Sequence, residues 1–223
     1  NEEENLVSFA RVLGKHLYAA LINPFAMKLA NYTRLTVVPY GFLHYLPFQL
    51  LHDDQGYLME QHEIRILPTA SIITRQPPQQ IRGAIGIAYN GEGRLHHTDS
   101  EAEAVVSRFG GTLYAENTAK GTVLSAPPCQ ILHIAAHGQY RIDQPDFSYL
   151  QLADGPIFTD DLFQYDLRYE LVTLSACETG RSRVMASDEL IGLGRGFLFA
   201  GAGAILASLW PVDDSLTLEL MNI

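Results

Sequence analysis

A chain of 223 residues with a formal charge of −10 and two cysteines can bury roughly 70% of its unfolded surface, as one large domain or two small ones. The acidic balance argues against the clustered Lys and Arg that neutralise nucleic-acid phosphates, and two cysteines make no disulfide framework, which fits a reducing, cytoplasmic compartment. No apolar run approaches the ~20 residues of a membrane span; the longest candidate, Phe197 to Trp210, divides into a helix end, a glycine turn and a strand.

Asn1 to Asn5 is acidic where a secretory leader is basic, so no leader is expected. Leu6, Phe9, Leu13, Leu17 and Leu21 recur at helical spacing and predict an amphipathic helix ending near Asn23-Pro24. Leu35 to Pro39 predicts a strand. Phe42 to Leu51, broken at Pro47, predicts an irregular or helical stretch, and Asp53 to Gly56 a turn. A strand at His62 to Leu67 and a short helix from Thr69 follow. Gln76-Pro-Pro-Gln-Gln80 is the one linker-like segment. It divides a helical and strand subdomain, residues 1–76, from the core on which it packs, residues 77–223.

Beyond the linker the pattern becomes regular strand–helix alternation. Ala84 to Ala88 predicts a strand, Asn90 to Gly93 a loop, and Thr98-x-x-Glu101 a capping box opening a helix to about Phe109. Thr112 to Tyr114 reads as a strand, Thr118 to Ser125 as a helix stopped by Pro127-Pro128, and Ile131 to Ala136 as a buried strand. An irregular excursion, Gln139 to Phe158, and a short helix, Asp160 to Tyr165, lead to a second buried strand at Leu171 to Leu174. Ser187 caps a helix running to about Ala200, whose Gly192, Gly194 and Gly196 weaken it but allow close approach to a sheet. Gly203 to Leu209 is the next strand. The last helix starts near Asp214 and reaches Ile223 without a C-cap, as expected of a chain truncated there. The alternation implies a parallel, doubly wound α/β sheet.

Two of these strands end in chemistry. Ile131-Leu-His-Ile-Ala-Ala136 is followed by His137-Gly138, and Leu171-Val-Thr-Leu174 by Ser175-Ala-Cys177. Reacting groups in open α/β sheets collect outside the carboxyl ends of the strands. On neighbouring strands, ~4.8 Å apart, the imidazole and thiol can share one substrate as a cysteine–histidine dyad. Other signals point elsewhere only weakly. His133 and His137 lack the glutamate of H-E-x-x-H, so His133 reads as a packed strand residue, and no metal is expected. His96-His97-x-Asp99 reads as a solvated loop and Cys129 as inert packing. Asn90-Gly-Glu-Gly93 is a weak echo of a dinucleotide fingerprint without its third glycine, which keeps a nucleotide-binding domain as a third alternative. No G-x-S-x-G elbow of a serine hydrolase occurs.

The ordered set of motifs resembles the CHAT domain, a caspase-like module associated with tetratricopeptide repeats and akin to separase, caspases and gingipains. The resemblance rests on His137-Gly138, Leu174-Ser-Ala-Cys-Glu-Thr-Gly180, Asp188-Glu-Leu-Ile-Gly-Leu193, Ala200-Gly201-Ala202 and Ser208-Leu-Trp-Pro-Val212 with Asp214. Gly41-Phe-Leu-His-Tyr-Leu-Pro-Phe48 and Leu67-Pro-Thr-Ala-Ser71 extend it over nearly the whole chain, with Tyr40 as a departure. It implies a three-layer α/β/α fold and a thiol protease with Cys177 as nucleophile and His137 as acid–base, using no cofactor. It also implies an oxyanion hole from the Gly138 and Cys177 N–H groups, and a specificity pocket between the nucleophile strand and the next one. Ser175, Asp213 and Asp214 fall there; a carboxylate would select Arg or Lys, although Asp214 can equally cap the last helix. The expected partners are a protein or peptide substrate and upstream repeats or an activator acting as a gate, with no nucleic acid and no membrane. A non-catalytic CHAT scaffold is the alternative from another class.

Overall fold

The computed structural model describes residues 2–40, 43, 46–67, 70, 83–115, 123, 131–139, 147–175, 186–208 and 214–221. Two compact units divide it, Asn1–Thr74 and Arg75–Ile223.

In the first unit, α1 (Glu2–Leu21) is followed by a 3-10 turn at Asn23–Phe25 and α2 (Ala26–Leu29). β1 (Arg34–Val37) pairs in parallel with β2 (Glu63–Ile66), which α3 (Leu58–Gln61) precedes. The small core is Tyr18, Ile22, Leu35, Phe48, Leu51 and Leu58. The buried contribution of α1 thus comes from Tyr18 and Ile22, with Leu17 and Leu21 half-buried beside them. Leu6, Phe9 and Leu13 of the predicted apolar stripe are exposed instead. Periodicity identified the helix, but its buried apolar residues come only from its last turns. The turn after Leu51 forms because Asp53 Oδ1 accepts from the N–H groups of Gln55 at 2.7 Å and Gly56 at 3.2 Å. The short helix expected from Thr69 and the linker at 76–80 lie outside the described residues.

The second unit is built on β3 (Ala84–Ala88), β4 (Gly111–Ala115), β5 (Ile131–Ala135), β9 (Leu171–Ser175) and β10 (Ile205–Ala207). They form one five-stranded sheet, all parallel, in the order β10-β9-β5-β3-β4. From β3 the chain first steps outward to β4, through α4 (Thr98–Phe109), and then returns to the other side of β3 to lay down β5. The strand order therefore reverses between β3 and β5, and this switch point is where open α/β sheets leave a crevice at the carboxyl ends.

Both faces of the sheet are covered, which is why β3 and β5 are buried at every residue and read as continuous apolar runs. One face carries Ile85, Ile87, Leu132, Ile134, Val172 and Leu174 against Leu162, Leu193 and Phe197. Those last three belong to α5 (Thr159–Leu162) and α6 (Ala186–Phe199). The other face sets Ala84 and Ile131 against Val105 and Val106 of α4, and α7 (Asp214–Met221) packs on α4. The architecture is the expected three-layer α/β/α fold. Among the described residues no helix is long and apolar enough to cross a membrane.

The described parts of the excursion expected after the histidine strand are largely sheet. β6 (His137–Gln139), β7 (Tyr149–Leu152) and β8 (Gly155–Phe158) form an antiparallel sheet, with Leu152 opposite Gly155 across a two-residue turn. Leu150, Leu152 and Ile157 complete the larger core. The alternating burial of Tyr149-Leu-Gln-Leu152 and the Asp154-Gly155 pair, with Gly155 at φ +123°, carry the hairpin signal. The helix at Thr98 is present, but its capping box is not: His97 is the N-cap and no side chain caps the helix. Glu101 is directed into the interior instead.

Candidate functional site

The two strands that end in His137 and lead to Cys177 are hydrogen-bonded neighbours. Ala135 lies opposite Ser175 in the parallel β5–β9 pair, and the Ala136 N–H donates to the Ser175 carbonyl at 3.1 Å. The ladder therefore holds to the point where β5 leaves the sheet. His137, half-buried, comes next and already belongs to β6, opposite Gln151, while Gly138 is buried opposite Leu150. The imidazole is carried on backbone fixed by ladders on both sides, not on an open loop. In the sequence Cys177 stands two residues past Ser175, as His137 stands two past Ala135. Cys177, Cys129 and Asp213 lie outside the described residues, and Asp214 is described as the first residue of α7.

The loop after β3 closes one side of His137. Gly91, Glu92 and Gly93 all take positive φ, at 62°, 63° and 87°. Asn90 organises them: its Oδ1 accepts from the Gly93 N–H at 3.1 Å, and its carbonyl accepts from the Arg94 and Leu95 N–H groups, both at 3.0 Å. Arg94 Nε donates back to the Gly91 carbonyl at 2.8 Å. A Cβ placed on Gly91 would overlap His137 Cδ2 and lie 2.9 Å from Nε2. The Cδ2–Nε2 edge of the imidazole thus rests on the backbone of residue 91. The sequence reading saw in Gly91-x-Gly93 only a faint phosphate motif. The ring that needs the space belongs to a distant part of the chain, and local pattern cannot show it.

Behind the strand ends, on the α4 face, lies a buried polar chain. Ser175, half-buried at the end of β9, donates its hydroxyl to Glu101 Oε2 at 3.0 Å. Glu101 Oε1 is 3.4 Å from His133 Nε2, and His133 Nδ1 is 2.7 Å from Thr173 Oγ1. Glu101 and His133 are fully buried. A Nε2–Oε1 approach of 3.4 Å is too long for a strong charge-assisted bond. Burial therefore decides, and it pushes the His133 pKa down from 6.5 to about 4, leaving a neutral ring. His133 is thus the packed strand residue that its position suggested. Glu101 and Thr173 were not identified from sequence as part of this chain, although register alone places Thr173 opposite His133.

His96 is exposed in the bend before α4, and His97 accepts at its carbonyl from the Glu101 N–H at 2.9 Å. No cluster of three or more His, Cys, Asp or Glu suited to a metal ion occurs among the described residues.

Residues 11–222 match the family model described as CHAT domain. No curated protein matches the chain.

Proposed function

Because this chain belongs to the CHAT domain family, which is related to the caspase-like cysteine peptidases, we propose that it is an endopeptidase cutting protein substrates through Cys177 and His137. In this reading the Cys177 thiolate attacks the scissile carbonyl carbon, and the N–H groups of Gly138 and Cys177 stabilise the oxyanion that forms. His137 protonates the departing amine, leaving a thioester. It then takes a proton from the water that attacks that thioester, releasing the acid product and the thiol. No metal or organic cofactor enters these steps. The observation that carries the proposal is the in-register neighbourhood of β5 and β9, with Ala135 opposite Ser175 and a reactive residue two positions past each in sequence.

Asp213 and Asp214, with Ser175, are proposed to form the pocket for the substrate residue before the cut, which favours Arg or Lys. Ser175 would enter it as backbone, since its hydroxyl is held by Glu101. We place the protein in the cytoplasm, gated by a partner or by upstream tetratricopeptide repeats.

One experiment tests the reading: an electrophilic peptide probe and a positional peptide library applied to the protein and its variants. The expected result is labelling at Cys177, loss of cleavage in Cys177→Ser, and retention of most activity in Cys129→Ser. Asp214→Asn should lower cleavage after Arg or Lys by roughly ten- to a hundredfold, the size of one charge-assisted hydrogen bond. An unlabelled Cys177 with no cleavage at any residue would leave a non-catalytic scaffold. Normal cleavage after Arg and Lys by Asp214→Asn would make Asp214 a helix cap alone.

A further inference from the structure

We infer that Gly91 is a positioning residue for His137: its missing side chain is the seat on which the imidazole is held at the switch point between β3 and β5. The inference rests on the proposed dyad for its chemical meaning and on geometry for its substance. Backbone conformation favours glycine here but does not by itself exclude a side chain. Glu92, the next residue, takes φ 63° with a full side chain, within a degree of the 62° of Gly91. What distinguishes position 91 is space. A Cβ there would collide with the Cδ2–Nε2 edge of His137, with Arg94 Nε 3.5 Å away, whereas a Cβ on Gly93 meets nothing within 4 Å.

Two glycines of positive φ in one loop thus differ in what a Cβ would meet, and the imidazole is the nearest obstacle at position 91 alone. The loop is in turn fixed by Asn90 and by the Arg94 bond to the Gly91 carbonyl, so it has little room to yield. The ring must move if the loop does not. An acid–base group displaced by about 1 Å loses on the order of a hundredfold in rate, because proton transfer requires hydrogen-bond reach. Arg94 stands beside the seat, and its guanidinium is tied to the same glycine.

The test is a double-mutant cycle read first by stability. Gly91→Ala is expected to lower Tm by roughly 3–8 °C. The part of that loss that comes from the collision should disappear when His137→Ala is present, leaving only the strain of an alanine in the left-handed region. Gly93→Ala should have the same effect with and without His137. Equal losses for Gly91→Ala in both backgrounds would overturn the inference, as would a Gly91→Ala protein indistinguishable from wild type. If Gly91→Ala alone fails to fold, folding of the double variant supports the seat and failure of both overturns it.

The second readout is the rate of Cys177 alkylation by iodoacetamide against pH, in a Cys129→Ser background. Wild type should show an inflection below the ~8.5 of an ordinary thiol. Gly91→Ala should move it towards that value and slow alkylation at pH 7 by roughly tenfold, while Gly93→Ala leaves it in place. An inflection unmoved by Gly91→Ala would overturn the positioning role. A wild-type thiol that titrates like a free one would instead sink the dyad, and the stability cycle would still decide the seat.

Discussion

Glu101 and His133 lie fully buried beside a parallel sheet, where an uncompensated charge costs several kcal/mol. Burial keeps the imidazole neutral, and the Glu101 carboxyl group accepts a hydrogen bond from the Ser175 hydroxyl. Linkage then fixes a pH dependence. An unfolded His133 takes up its proton near 6.5, whereas the folded one does so only near pH 4. Between these values the unfolded chain binds more protons, so stability from this group is constant above about 6.5 and falls as pH drops towards 4. The full loss is on the order of 3 kcal/mol, from the size of the shift. Urea unfolding at pH 7.5, 6 and 5 should show the decline, and a His133→Gln variant should show a shallower one. Parallel slopes for the two proteins would remove His133 as its source. This network was half legible in the sequence. The continuous apolar run around it marks His133 as buried, but Glu101 three residues into a helix behind Thr98 has the form of a cap. Only the register of α4 on β5 and β9 decides which use the carboxylate serves.

At the scale of elements, α6 shows how a helix rich in glycine is held, and Gly196 departs from the expectation. Its glycines were expected to admit a close sheet. At Gly194 an added Cβ would lie 3.7 Å from Ile205 of β10, an ordinary contact. At Gly196 the crowding comes from a helix instead: the Cβ would be 2.8 Å from Leu162 Cδ1 and 3.3 Å from the Thr159 carbonyl, both in α5. Two substitutions in one helix should therefore have opposite signs. Gly194→Ala should stabilise by up to ~1 kcal/mol through helix propensity. Gly196→Ala should destabilise by about 1–3 kcal/mol through overpacking, despite the same propensity gain. Denaturant midpoints at constant m-value would check both, and a shift of the same sign for the pair would refute the packing argument. The three central parallel strands were legible because burial on both faces writes apolar runs, whereas the edge strands β4 and β10 are only partly covered. The β7–β8 hairpin was not, because its Tyr149-Leu-Gln-Leu152 alternation is short and sits inside a stretch whose flanks have no such pattern. His137 was legible from its place after a strand. Gly91 was not, since its reason is a ring it meets only in the folded chain.

Taken whole, the second unit is a sheet whose central pairs join segments far apart in the chain: β3 with β5, and β5 with β9. Such pairings must close long loops before any contact repays the lost entropy, and they place refolding in milliseconds to seconds or slower. Stopped-flow refolding from urea should show that range, and Cys177 should gain its native alkylation rate only with the last phase. A native rate within the dead time would mean that the thiol owes nothing to the finished sheet. The order of the strands also has a temporal consequence. His137 and Cys177 follow separate strands, and Gly91 follows a third, so under the proposed chemistry no partly formed chain possesses the reactive set. A nascent or misfolded copy carries each component but not their juxtaposition. Under the proposed chemistry, hydrolysis would therefore wait until β9 has closed on β5.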